Sequence, residues 1–420
     1  MGRQRGSADR AQDVEPVAGR HPALGTPAIA RDRGRDTSLG TGPDDTVNTL
    51  AASLTARALR IGRRIISRPR IDLPLAIALT LLAAIGLTVL YSASNLDRSM
   101  VLGQAARFLI GAALLVAVSR IPPNLLRAWT PWFYVLSMVL LFAVKVLGEG
   151  QGANRWLDIG VFRFQPSELM KLAMPMTVAW YLHPRPLPPR WRDLLVTGVL
   201  IALPAFLIFR QPDLGTALLV AASGLFVWFL AGLQWRKIGA AIVGLAGAAP
   251  IAWHFMHDYQ RQRIVTFLHP ENDPLGSGWH ILQSMIAVGS GGVLGKGFNQ
   301  GTQSKLEFLP EHTTDFIFAV LGEEFGLIGV LVLLALYAFI VARCLWIAAN
   351  ARDTWSRLVA GAFALAFMVY VIVNGGMIAG LLPVVGVPLP LVSYGGTSAI
   401  TLLAGFGVVM SIHAHRKWTP

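Results

Sequence analysis

Asp315 stands where a hydrophilic stretch, LPEHTTD, gives way to the apolar run FIFAVLG. A carboxylate at such a junction can take a proton from a substrate hydroxyl, which is the work of a general base. Thr313 and Thr314 precede it as candidate capping residues, so Asp315 is expected at a helix N-terminus, where the dipole favours the ionised form. Partial burial would push the other way. The plain alternative is a first-turn acidic residue that only stabilises its helix. Glu323 and Glu324 follow about two turns deeper, and only one of them is expected to face the interior. A second cluster, QPSELMK, holds Pro166 in a first helical turn and Glu168 three residues before Lys171, an i,i+3 ion pair. Such a pair can floor a polar cavity, or it can snorkel at a surface. A third, Arg210 to Thr216, reads as a tight turn closed by Arg–Asp pairing. A fourth, Asn374 to Ser398, carries Pro383, Pro388 and Pro390 with Gly395 and Gly396. These residues forbid a continuous helix. Broken helices at membrane depth occur where backbone is buried in protein or lines a cavity.

The elements that must position these groups are membrane spans. The 420 residues are 54% hydrophobic and only 14% charged, against about 25% charged in soluble domains. Blocks such as Leu73 to Tyr91 match the roughly 30 Å hydrocarbon thickness at 1.5 Å per residue. The expected fold class is all-α, a polytopic membrane helix bundle with about ten transmembrane helices. The spans fall at 72–93, 101–120, 128–147, 166–183, 193–209, 214–233, 237–256, 315–343, 357–381 and 391–413. Arg120 and Arg127, then Arg185, Arg190 and Arg192, then Arg236 and Lys237, then Arg343, Arg352 and Arg357, and finally Arg416 and Lys417 occupy alternate loops and the C-terminus. By the excess of Lys and Arg in cytoplasmic loops, both termini are expected in the cytoplasm. Asp315 and a long loop, 256–314, then face outward. Ile281 to Val288 within that loop is too short to span and reads as an interfacial or re-entrant helix.

The net charge of +13 is concentrated at the start, where residues 1–70 hold thirteen arginines and no aromatic residue. Residues 1–45 read as a disordered basic cytoplasmic tail. Residues 46–70 read as an interfacial amphipathic helix or a flexible basic linker. Residues 71–416 form the transmembrane domain. The tail shows no motif for nucleic acid. No Gly-Lys-Ser phosphate loop supports ATP-driven chemistry, and no His/Cys cluster suggests zinc. A single cysteine, Cys344, excludes an intramolecular disulfide framework.

RWLDIG with FQPSELMKL, QPDLGTAL, LPEHTTDFIFAVLGEEFG and the long pattern Asn374…GLLPVVG…LVSYGGTS together resemble the SEDS family (shape, elongation, division and sporulation), whose members include RodA, FtsW and SpoVE. The match covers about residues 70–416. DYQRQRIVTFLHPENDPLG and GTQSKLEFLPE are more similar to the elongation member, RodA. His is frequent in the family where Thr313 stands here, one place after His312. The resemblance implies peptidoglycan glycosyltransferase activity on lipid II, with Asp315 matching the essential aspartate and Glu168 and Lys171 matching the polar pair of the central cavity. It also implies a class B penicillin-binding protein as transpeptidase partner in elongation. In that reaction Asp315 serves as general base, and the pyrophosphate calls for cations. Lys171, Arg210, Arg261, Arg263 and Lys296 are the candidates, with a divalent cation, Mg or Mn, as the alternative. Two other readings compete: a lipid II flippase, which the broken helices would suit, and a non-enzymatic scaffold of the wall-synthesis complex.

Overall fold

The computed structural model describes residues 71–147, 155–158, 163–237, 277–305 and 313–416, with 239–240, 243–244, 247, 253–254, 261 and 265–266 between them. The basic tail and the amphipathic segment before residue 71 lie outside the described residues, as do Arg263, Glu307, Glu311 and His312. The elements in order are α1 Leu73–Ala93, α2 Arg98–Ser119, α3 Pro123–Leu147, the strands β1 Leu157–Asp158 and β2 Arg163–Phe164, α4 Pro166–Leu182, α5 Trp191–Phe209, α6 Leu214–Leu230, α7 Ser277–Ser290, the single turn α8 Thr302–Lys305, α9 Ile317–Ala349, α10 Thr354–Ile378 and α11 Thr397–Ala414. The described residues are thus mostly helical, with one two-residue antiparallel ladder among them pairing Leu157 with Phe164 and Asp158 with Arg163.

Among the described residues seven helices, α1, α2, α3, α5, α9, α10 and α11, are long and apolar enough to cross a membrane, and α6 is a shorter apolar helix. With α4 they account for every expected span except 237–256, which falls largely outside the described residues; residues 239–240, 243–244 and 253–254 within it are helical. α10 and α11 have 67% of their apolar windows buried, against 22% for α2 and α3, so the former pair forms the centre and the latter faces lipid. α2 runs along α11, α9 along α10, and α4 packs against α3 and α6. At the α2–α11 seam a Cβ on Gly407 would come within 2.8 Å of the Leu115 carbonyl. Only a glycine permits that approach, the usual device where helices associate without a hydrophobic drive.

Two helices depart from the regular spans expected. α11 starts at Thr397 rather than at 391, because residues 379–396 form an irregular loop around the prolines, with Leu391 at φ 59°. α9 is broken at Gly326, whose φ of 62° and ψ of −162° only glycine adopts readily. In an unbroken helix the amides of Leu327 and Ile328 would bond to the carbonyls of Glu323 and Glu324. Here those carbonyls accept from the amides of Lys296 (3.0 Å) and Gly297 (3.0 Å), while Leu327 and Ile328 donate to Gly292 (3.0 Å) and Val293 (3.2 Å). The glycine-rich turn after α7 is therefore stitched into the break, so the four backbone groups that the break releases find partners at membrane depth.

At the end of the bundle opposite Asp315, Asp72 caps α1 by accepting from the Leu75 amide at 3.0 Å. Arg343 from α9 grips the same carboxylate with Nε–Oδ1 at 3.0 Å and a second nitrogen on Oδ2 at 2.7 Å, and His413 Nε2 lies 3.4 Å from Oδ2. Burial pushes the Asp72 carboxyl up, but the Arg343 hydrogen bonds, the Leu75 amide and the nearby His413 outweigh it and hold it below its ordinary value.

Candidate active site

Asp315 sits in a turn, Thr313–Phe316, that leads into α9. The N-cap is Phe316 and makes no side-chain capping bond, so the expected threonine cap and first-turn position of Asp315 are both corrected. The turn is instead braced from the side by the proline-rich loop. The Ser393 hydroxyl donates to the Thr314 carbonyl at 2.5 Å, and the Tyr394 amide donates to the Thr313 carbonyl at 2.8 Å. The Asn374 amide group donates both to the Asp315 carbonyl at 2.9 Å and to the Val387 carbonyl at 2.8 Å. Asn374 is fully buried, so one side chain on α10 fixes the backbone of Asp315 and of the facing loop together. Gly386 in that loop, at φ 69°, lies so close that a Cβ there would stand 3.5 Å from Asp315 Oδ2.

Asp315 borders a cavity of about 510 Å³ that also reaches Glu168, Lys171, Arg155, Asp213 and Tyr394. Glu168 and Lys171 form the expected ion pair at 2.7 Å. Thr401 of α11 donates to the second oxygen of Glu168 at 3.2 Å, and the Lys171 ammonium lies 5.3 Å from the Tyr370 ring centre. The pair is thus built into the floor of the cavity, not displayed on a lipid-facing surface. Across from it Asp213 caps α6 by accepting from the Thr216 amide at 3.1 Å, accepts from the Gln165 side chain at 3.2 Å, and lies 3.8 Å from Arg155. Arg155 also donates to the carbonyls of Gln211 (3.0 Å) and Pro212.

The Arg–Asp pairing expected within the Arg210–Asp213 turn is therefore made by Arg155. Arg210 is exposed with its guanidinium over Phe206, 5.8 Å from the ring centre, and does not line the cavity. Lys296 does not line it either. Its ammonium lies 2.6 Å from Glu323 Oε1 and 3.0 Å from the Thr302 hydroxyl, and it neutralises a carboxylate that would otherwise be buried without a counter-charge. Arg261 donates to the carbonyls of Trp253 (3.1 Å) and His254 (2.7 Å), also away from the lining. Glu323 and Glu324 are both buried, at 0% and 2% exposure, which corrects the expectation that only one turns inward. The break in α9 lets Glu323 face the α7–α8 turn while Glu324 accepts from Ser92 of α1 at 2.6 Å. The residue that sequence reading missed is Arg155, although it stands in the RWLDIG stretch, on the same side as Asp315 and just ahead of Glu168.

The donor set bears on a divalent cation. Among the described residues no group of three or more His, Cys, Asp or Glu side chains could hold a metal. Glu168 and Asp213 are each engaged by a cation of the protein itself. Without such a cluster among the described residues, a magnesium or manganese ion bound at this cavity would take most of its oxygen ligands from substrate and water.

A family model described as cell cycle protein, the FtsW/RodA/SpoVE family, matches residues 73–418. The chain belongs to this family. Among FtsW/RodA/SpoVE relatives, the peptidoglycan glycosyltransferase MrdB of Escherichia coli K12 is 54% identical over 331 residues, covering 78% of this chain and 90% of the relative. MrdB of Helicobacter pylori is 38% identical over 351 residues, covering 82% and 90%. The fold is similar to a chain solved in a study of the structural coordination of polymerization and crosslinking by a peptidoglycan synthase complex, with TM-score 0.75, 33% identity and coverage of 83% and 99%. It is also similar to the rod shape determining protein RodA of Thermus thermophilus, with TM-score 0.64, 30% identity and coverage of 84% and 99%. With its apolar spans, the chain is a multi-pass membrane protein.

Proposed function

We propose that the chain is a peptidoglycan glycosyltransferase that polymerises lipid II at the outer face of the cytoplasmic membrane during elongation. The observation that carries this reading is a half-buried carboxylate, Asp315, on the rim of a cavity that also holds two cations, Lys171 and Arg155. The GlcNAc 4-hydroxyl of one lipid II attacks the MurNAc C1 of the growing strand. Asp315 takes the hydroxyl proton as general base, the C1–O bond to pyrophosphate breaks, and undecaprenyl pyrophosphate leaves with the anomeric centre inverted. Lys171 and Arg155 face the developing phosphate charge from fixed positions and need no rearrangement as the bond breaks. A divalent cation bound there would add further charge at the leaving group. The pattern of basic loops supports the orientation with both termini in the cytoplasm. The synthase-complex relative supports a crosslinking partner, a class B penicillin-binding protein.

Purified lipid II offered to the full-length protein, with and without that partner, tests the assignment. Wild type makes polymer, whereas Asp315→Asn and Asp315→Ala lose about 10²–10⁴ of the rate. Near-normal polymer from a folded Asp315→Asn protein overturns the assignment. A flippase would instead move lipid II between leaflets independently of polymer formation, and a scaffold would tolerate loss of Asp315.

A further inference from the structure

Arg107 lies in α2, nine residues beyond Arg98, the first residue of that helix. At 1.5 Å per residue this is about 13 Å into the span. Its neighbours Leu102, Leu109 and Ile110 are 69%, 72% and 58% exposed and face lipid, while Gln104 and Phe108 are buried. Arg107 therefore occupies the border between the lipid face and the core. Its guanidinium lies 3.1 Å from the Tyr394 hydroxyl and 3.3 Å from the Gln104 side-chain oxygen, with its carbon 4.7 Å from the Tyr394 ring centre. Both partners are neutral. Among the described residues no carboxylate lies within salt-bridge distance of it, although Lys171, Arg155, Lys296 and Arg343 each have one.

An ionised side chain at this depth is costly and asks for a counter-charge. The described residues do not supply one, and the neighbouring side chains on that face are apolar and exposed, so the counter-charge comes on a lipid. Tyr394 fixes which lipid. It touches Arg107 on one side and lines the Asp315 cavity on the other. Gln104 ties the two sides together, accepting from the Gly395 amide at 3.3 Å and donating to the Ser393 carbonyl at 3.5 Å, beside the residues that brace the Asp315 turn. A long side chain leaning back toward its helix N-terminus puts its charge on the Asp315 side of its own Cα.

We propose that Arg107, with Gln104 and Tyr394, is the lipid-side docking site for the phosphate groups of a polyprenyl-linked ligand, at a lateral entrance between α2 and the loop before α11. The inference rests on the glycosyltransferase reading and adds to it the point at which the lipid carrier enters or leaves. Arg presents a planar fork matched to phosphate oxygens, and the apolar face around it accommodates the chain.

The test uses full-length protein in phosphatidylcholine nanodiscs, titrated with undecaprenyl pyrophosphate and, in a parallel arm, with phosphatidylglycerol, and bound lipid is read by native mass spectrometry. Wild type is expected to bind undecaprenyl pyrophosphate about ten- to a hundredfold more tightly than Arg107→Gln. Arg107→Lys recovers only part of the affinity, because the charge is kept but the planar fork is lost, and Tyr394→Phe, which keeps the ring, loses less than Arg107→Gln. Equal binding by wild type and Arg107→Gln overturns the docking site. Phosphatidylglycerol binding that matches undecaprenyl pyrophosphate and depends equally on Arg107 also overturns it, because the site would then serve bulk lipid. Failure of the glycosyltransferase reading is seen separately, as absence of polymer from lipid II with the wild-type protein.

Discussion

Glu168 and Lys171 matter for what each would be without the other. Both are largely buried, and removing one leaves a charge in a low-dielectric site with no counter-ion. Glu168→Gln or Lys171→Met alone is expected to lower stability by about 3 kcal/mol, and the double variant to lose less than the sum, with a coupling of about 1–3 kcal/mol. Denaturation of the four proteins in detergent, followed by tryptophan fluorescence, reads this directly, and strict additivity would mean the pair is screened by solvent. This pair was legible in the sequence because an i,i+3 spacing brings side chains together through the helix alone. Asp315 was legible as a place, since it marks a junction of polar and apolar sequence. The bracing of its turn by Asn374, 59 residues from Asp315, and by Ser393, 79 residues from Thr314, was not, and neither was the pairing of Arg155 with Asp213. Such contacts depend on how helices meet, which no local spacing records.

The same limit holds for elements. Hydropathy located the spans that the described residues cover because the bilayer imposes their length, and prolines located the loop between α10 and α11. The break in α9 was hidden because no proline marks it, a long apolar run follows Gly326, and its compensating bonds come from residues 292–297. A Cβ at Gly326 would collide with the Gly295 amide and would also lie 2.7 Å from the Val293 carbonyl. Gly326→Ala is therefore expected to lose at least about 2–3 kcal/mol and to reduce polymer formation, since the segment of α9 before the break follows directly on the Asp315 turn. Gly289→Ala in α7 is the control. A Cβ there meets nothing within 4 Å, and alanine is the better helix former by about 1 kcal/mol, so stability is unchanged or slightly raised. Thermal unfolding of the two variants beside wild type checks both, and equal melting temperatures would remove the break from the account.

Across the whole molecule the two ends differ in chemistry. The Asp315 end holds the cavity, and the far end is tied by Asp72, Arg343 and His413, which join α1, α9 and α11. Because the Asp72 carboxyl is held below its ordinary value, its contribution is present above the unfolded value of about 3.9 and is lost as pH falls through the folded one. At pH 7 Asp72→Asn is expected to be less stable by about 3 kcal/mol. Below about pH 4 the gap to wild type narrows as Asp72 takes up its proton. A series of melting curves between pH 3 and 7 checks the sign, and a gap that widens on acidification would contradict it. The stitched break at Gly326 also bears on how the chain is made. The first half of α9, residues 317–325, is about 13 Å long, too short to hold itself across the hydrocarbon. The carbonyls at its end need the amides of Lys296 and Gly297, and those residues leave the ribosome before α9 does. Synthesis order thus delivers the acceptor surface ahead of the helix that docks on it. A circular permutant that moved residues 277–305 behind α9 would ask the membrane to hold open backbone until its partners arrived.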